Sequence, residues 1–225
     1  MNQKAVISGD IIAFTSLADN AKNQLEQELY KLFSTLNSKY ETFSRLIKGD
    51  YLECAVPSPE NSLRIALVIK TFIKSRELAA KTKRFRYFEE YGIRLAIGYG
   101  SLSRYTPETG IIDGEAIYLS GRRINEESTH NKERVNIKNT LFFVSEDENL
   151  NQNFEALFAL LDFMLIKATR KQCEVAHYKL LGMSEGEIGK TLGTSQSAVN
   201  QHSTSIGWNA IEKAILYYEQ LLKQH

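Results

Sequence analysis

The chain has 225 residues, 43% hydrophobic and 24% charged, with a formal net charge of +1. That is enough for one large or two small globular domains, and it excludes a strongly basic nucleic-acid coat, so any contact with nucleic acid has to be local. Two distant cysteines, Cys54 and Cys173, exclude a disulfide framework or a zinc ribbon and fit a reducing cytoplasm. No long apolar segment resembles a signal peptide or a membrane span.

In chain order, Ala5–Ser8 reads as a short strand ending at Gly9-Asp10. A helix is predicted over about 18–39, on the helical spacing of Ala21, Leu25, Leu29, Leu32, Phe33 and Leu36. Phe43–Lys48 and Tyr51–Val56 read as strands of a hairpin turning at Gly49-Asp50. Glu60 or Asn61 opens a second helix, predicted to run to about Thr82. Lys81, Lys83, Arg84 and Arg86, interleaved with Phe85 and Tyr87, read as a solvated connection, with a single-strand stacking surface as the alternative. Tyr91–Gly100 is predicted as a strand with Ile93, Leu95 and Ile97 inward, Glu115–Glu127 as a helix and Thr140–Val144 as a strand. Ser101, Ser103 and Tyr105 fall in an expected loop. The order β-α-β-β-α-β, then α and β, is the ferredoxin-like split βαβ pattern with extensions.

From about Asn151 the pattern is helical, with Phe154, Leu157, Phe158, Leu161 and Leu165 in one stripe. The polar, acidic stretch at 147–153 marks the expected boundary between an α+β unit (1–148) and an all-α unit (149–225). A helix beginning at about Thr169 should stop at Gly182. Ser184-Glu185-Gly186-Glu187 has the form of a capping box. Ile188 and Leu192 turn inward, Gly189 allows close helix approach and Gly193 permits a turn at positive φ. Ser195 can cap a third helix whose inward anchor is Val199, leaving Ser195, Gln196, Ser197, Asn200, Gln201 and Thr204 outward. From Thr169 to the end there are six Lys or Arg against five Glu, a weak positive balance for a phosphate-binding surface. A helical bundle whose polar face only meets water is the plain alternative. The last helix, Trp208–Leu222, carries Ile211, Ile215, Tyr218 and Leu222 in one stripe, for core packing or for a dimer seam. The histidines, His130, His177, His202 and His225, have no zinc spacing.

The run Glu174-Val175, Gly182-Met183-Ser184, Glu187-Ile188-Gly189, Leu192-Gly193-Thr194-Ser195, Ala198-Val199 and His202 resembles the helix-turn-helix of the LuxR and sigma-factor region 4 type. The resemblance implies double-stranded DNA as partner, with the third helix in the major groove. Ser8-Gly9-Asp10-Ile11-Ile12-Ala13-Phe14-Thr15, Ile47-Lys48-Gly49-Asp50 and Asp113–Arg122 resemble segments of class III nucleotide cyclases, over roughly residues 4 to 145. That resemblance implies Asp10 and Asp50 as ligands of Mg²⁺ holding a nucleotide, Arg122 as the phosphate-facing arginine, and a homodimer with its site between subunits. Where that family has its asparagine this chain has Tyr118, and its base-selecting positions fall on Leu46 and Ile111. Base selection by hydrogen bonds is thereby lost, and no catalytic residue is assigned. The whole chain, ending in Gly207-Trp208-Asn209-Ala210-Ile211-Glu212, resembles the SatD family of bacterial proteins. The expectation is a cytoplasmic, homodimeric DNA-binding regulator with a nucleotide or phosphate ligand. A divergent cyclase and a non-catalytic scaffold are the alternatives.

Overall fold

A computed structural model describes residues 3–47, 49–127 and 137–224. Lys48 of the hairpin motif, His130 and His225 lie outside the described residues. The first unit of structure is β1 (Lys4–Ile11), α1 (Asp19–Tyr40), β2 (Phe43–Ile47), β3 (Tyr51–Val56), α2 (Ser62–Ser75), α3 (Phe85–Tyr91) and β4 (Ile93–Gly100). There follow β5 (Arg104–Thr106), β6 (Ile111–Asp113), α4 (Glu115–Glu127) and β7 (Leu141–Ser145). The main sheet runs β2-β3-β1-β4-β7. Its first four strands are mutually antiparallel, the ferredoxin-like order, and β7 adds in parallel to β4. The protein is therefore α+β, with a mixed sheet.

Alternation along β1 sorts its side chains onto two faces. Ala5, Ile7 and Ile11 enter the large core with α1 and α2, whereas Val6 packs with Ala116 of α4 on the other side. Gly98 in β4 lets α4 lie directly on the sheet, since a Cβ there would come within 2.1 Å of the Ala116 carbonyl oxygen. The large core does not stop at the sheet. The tail helices α5 (Glu148–Lys167), α6 (Arg170–Leu180), α7 (Glu185–Leu192), α8 (Gln196–Ser205) and α9 (Trp208–Leu222) follow. Phe154, Phe158, Leu161, Leu165, Leu180, Trp208, Ile211, Ile215 and Tyr218 belong to the same buried cluster as the α2 and sheet residues. The stripe of α9 is thus core. Tyr218 is fully buried and its phenol sits 2.7 Å from the Ser62 hydroxyl.

Polar side chains cross the same seam. The fully buried Lys70 of α2 donates to the Ile93 carbonyl (2.9 Å) and the Thr140 hydroxyl (2.6 Å), and lies 3.5 Å from Asp162 of α5. Burial pushes the ammonium of Lys70 down, and Asp162 opposes that shift. Lys74 donates to the Leu165 and Ile166 carbonyls, which satisfies the last turn of α5. Lys39, at the end of α1, donates to the Leu181 carbonyl at the end of α6.

Four local expectations change. The second helix stops at Ser75 rather than near Thr82, because Arg76 turns extended and its N–H closes on the Ile73 carbonyl. The basic-aromatic stretch contains the start of α3, not only a connection, and Gly92 (φ 66°) ends that helix, so the strand begins at Ile93 rather than Tyr91. The segment expected as loop after Gly100 holds the β5–β6 ribbon. Helix α5 begins at Glu148 rather than near Asn151, with the Asp147 carboxylate at its N-cap accepting from the Asn149 and Leu150 amides.

Candidate functional site

The first candidate lies at the end of the sheet where β1 leaves the core. Asp10 is on the α4 side of β1, opposite Tyr51 of β3 and Arg94 of β4. Asp10 is 8% exposed and Arg94 1%. The Arg94 Nη1 donates to Asp10 Oδ2 at 3.0 Å. Burial pushes the guanidinium of Arg94 down from its ordinary value, while Asp10 and Glu127 counter it. The Arg94 Nε is buried and has no acceptor among the described residues. A buried charged donor lacking one of its hydrogen bonds is costly.

Asp50 sits in the hairpin turn after Gly49, whose φ is 81°. Its backbone carbonyl accepts from the Ile11 amide at 2.8 Å, which fixes the turn beside the end of β1. The backbones of Asp10 and Asp50 therefore lie at the same end of the sheet. The chain then enters a tight turn at Ala13, a non-glycine residue at φ 56°. Left-handed backbone at such a residue costs on the order of 1–3 kcal/mol and clusters at functional sites. Ser16 closes the turn, its amide and hydroxyl both donating to the Ala13 carbonyl.

Among the described residues no group of three or more His, Cys, Asp or Glu could hold a metal ion. A pair of carboxylates, here Asp10 on β1 and Asp50 in the β2–β3 turn, is nevertheless the kind of donor Mg²⁺ uses when water and phosphate oxygens complete its octahedron. Of the two carboxylates, that of Asp10 lies against Arg94. Arg94 was not a sequence candidate. Its signal was a lone cationic side chain in the otherwise apolar run Ile93-Arg94-Leu95-Ala96-Ile97.

Arg122 is not with them inside one chain. On α4, Ser120 faces the sheet, 2.8 Å from the Ser8 hydroxyl, and Ile124 packs on Ala96 and Phe142. Arg122 is exposed and lines a groove of about 500 Å³ between α4, β7 and α5, floored by Phe143, Phe154 and Phe158. Tyr118 is 60% exposed, its phenol donating to the Asp113 carboxylate. Leu46 pairs with Leu52 in the hairpin and packs against the core, and Ile111 lies on β6, so neither offers a polar edge to a base.

The second candidate is in the tail. The Thr169 hydroxyl caps α6 in a capping box with Gln172, which the sequence reading missed, and Ser184 and Glu187 form the expected box on α7. Gly182 (φ 90°) and Gly193 (φ 62°) take the left-handed conformation at the ends of those helices. Three residues, Gly193-Thr194-Ser195, join α7 to α8, and the Ser195 hydroxyl accepts from the Ala198 amide. Val175, Ile188 and Val199 pack as a small core of their own, with Met183 and Leu192 against it. Ser195, Gln196, Ser197, Asn200, Gln201 and Thr204 are all exposed. Two tail lysines are already paired: Lys171 with Glu174, and Lys179 with Glu185, both at 2.9 Å. The hydrogen bond from Lys179, with Asn200 and Ser203, holds the Glu185 carboxyl below its ordinary range.

No protein-family model matches the chain, and no curated protein sequence matches it. Among solved structures it is similar to the monomeric guanylyl cyclase domain of the RhoGC fusion protein from the aquatic fungus Blastocladiella emersonii. The identity is 16%, covering 54% of this chain and 73% of that one, with a TM-score of 0.42. It is also similar to a bacterial light-regulated adenylyl cyclase (17%, 62% and 74%, 0.41). A third similarity is to the adenylyl cyclase CyaB from P. aeruginosa (17%, 55% and 71%, 0.38).

Proposed function

We propose that the protein is a cytoplasmic, homodimeric DNA-binding transcriptional regulator. Residues 149–225 form the unit that reads duplex DNA, through Ser195, Gln196, Ser197, Asn200, Gln201 and Thr204. The observation that carries this reading is the division of α8: Val199 and Ser203 are buried while the six polar side chains stand in solvent, on a helix held by caps at both neighbouring turns. A helix presented in this way can enter a major groove with its N-terminal side chains at base edges. With Lys171 and Lys179 engaged by carboxylates, phosphate attraction per copy is low, and two copies on two half-sites supply the affinity that one lacks.

Residues 1–148 are the proposed sensing unit. Asp10 and Asp50 would hold Mg²⁺ and Arg94 would meet the phosphate of a nucleotide or related ligand; Arg122, on the outer side of α4, would reach such a ligand only from a partner subunit. When bound, the cation neutralises phosphate oxygens and orients them. The chain's own part is to fix Asp10 by strand pairing and Asp50 by the hairpin turn, and to keep a buried guanidinium short of one acceptor. The apolar residues Leu46 and Ile111 favour sensing over base-specific turnover.

The test uses the full chain. Mobility shifts on a duplex enriched from genomic fragments should show Asn200→Ala and Gln201→Ala each weakening binding about tenfold, the loss of roughly one good base contact. Calorimetry with Mg²⁺ and each nucleoside triphosphate should give a binding heat that Asp10→Ala removes. Unchanged DNA binding in both amide variants would sink the assignment of α8, and absence of any heat in the parent protein would remove the sensing half. Formation of a cyclic product with Mn²⁺ would make the protein an enzyme instead.

A further inference from the structure

The exposed face of α8 is informative for what it lacks. Between Ser195 and Ser205 there is no arginine and no lysine. The outward polar groups are amides and hydroxyls. Guanine is read in the major groove chiefly by Arg or Lys on O6 and N7, whereas adenine is read by an Asn or Gln amide, whose oxygen accepts from N6 and whose N–H donates to N7.

A second observation lies just beneath that face. Glu185, the first residue of α7, accepts from Lys179 Nζ through Oε1 at 2.9 Å and from Asn200 Nδ2 through Oε2 at 3.3 Å. Lys179 is itself held over the Trp208 ring, 5.1 Å from its centre. Three helices thus fix one carboxylate, and the carboxylate turns the nitrogen of the Asn200 amide toward itself. The amide orientation is set before any partner arrives, with Oδ1 and the second N–H left for the outside. A base that satisfies both groups must offer a donor and an acceptor side by side. Adenine does; cytosine offers only the donor. The negative charge of Glu185 next to this edge also repels the paired acceptors of guanine and favours an exocyclic amino group.

We infer that α8 reads adenine rather than guanine, with Asn200 as the specificity-determining residue and Glu185 as its positioning residue. This rests on the DNA-binding reading above and names the class of operator: half-sites whose contacted positions are A·T. Gln196 and Gln201 are of the same chemical type and extend the preference along the helix.

The experiment is selection from a random duplex pool by the full-length protein, followed by sequencing, for the parent, Asn200→Ala, Glu185→Ala and Glu185→Gln. The parent should enrich A·T at the contacted positions. Asn200→Ala should erase the preference at one position and leave the others. Glu185→Ala should relax that same position at least threefold, and Glu185→Gln, which keeps an acceptor but not the charge, should restore part of the preference. Enrichment of G·C at the contacted positions would overturn the inference. So would a Glu185→Ala variant that binds every sequence equally more tightly with its base preference intact, since removal of a repelling charge alone does that. Failure of the parent to enrich any duplex is a different result: it overturns the DNA-binding reading and this inference with it.

Discussion

At the end of the sheet, Asp10, Asp50 and Arg94 come from two strands and a hairpin turn far apart in the chain, and two of the three are almost fully buried. In the tail, the six outward polar groups come from one ten-residue helix and its cap, and all are exposed. The first site depends on long-range strand register, the second on local caps and turns. The difference predicts different responses to damage: the sheet end should answer to changes in the shared core, the outward face of α8 to changes in the local caps and turns.

The largest effect should come from the seam that supports both. Asp162→Ala removes the carboxylate beside the buried Lys70 and two hydrogen bonds to Thr140. Leaving a buried ammonium without its counter-charge costs about 3–5 kcal/mol. Urea titration should show that loss, and a change below about 1 kcal/mol would mean that Lys70 sheds its proton at little cost.

A smaller effect, confined to acid, is expected from His177. Its ring is buried between α6 and α2, with Nδ1 3.2 Å from the Val68 carbonyl and the Phe72 ring 5.3 Å away. Burial pushes its pKa down to about 4 from 6.5. The unfolded chain takes up the proton first as pH falls, so the stability contributed by neutral His177 is present above pH 6.5 and is lost between 6.5 and 4. The loss is on the order of 3 kcal/mol. His177→Phe should flatten the stability profile in that window relative to the parent; parallel profiles would count against it.

The smallest effect should be local to the tail. Ser184→Ala removes the cap of α7 and should cost about 1 kcal/mol. DNA affinity should fall while Mg²⁺-dependent ligand binding stays. Equal loss of both would erase the distinction between the two regions.

The same distinction explains what was legible in the sequence. Ser184 with Glu187, Gly182, Gly193, Ser195 and Val199 act within a few residues of themselves, so their roles could be read directly, and the limits of α4 and α9 were predicted to the residue. The strand order followed from alternating elements. The pairing of Asp10 with Arg94 did not, because it requires the register of β1 on β4, which two apolar strands do not declare. The end of α2 and the start of α3 were missed for a related reason. Ile73-Lys74-Ser75-Arg76-Glu77-Leu78 continues to look helical, whereas in the structure Arg76 turns extended where Lys74 reaches the end of α5. The Asn200–Glu185 contact joins residues fifteen apart across a turn, within reach of sequence once the two helices are drawn, but not specified by it.

The cluster that runs without a break from β1 through Tyr218 and Leu222 has a consequence for how such a chain can be handled and how it can diverge. Cutting near residue 148 would strip Val68, Phe72 and Phe143 of their covering and leave two sticky fragments instead of a free-standing reader and a free-standing sensor. Heating should therefore give one calorimetric peak. Transplanting the tail onto another protein would require carrying its α2 bed along, so recombination would be expected to move this architecture whole.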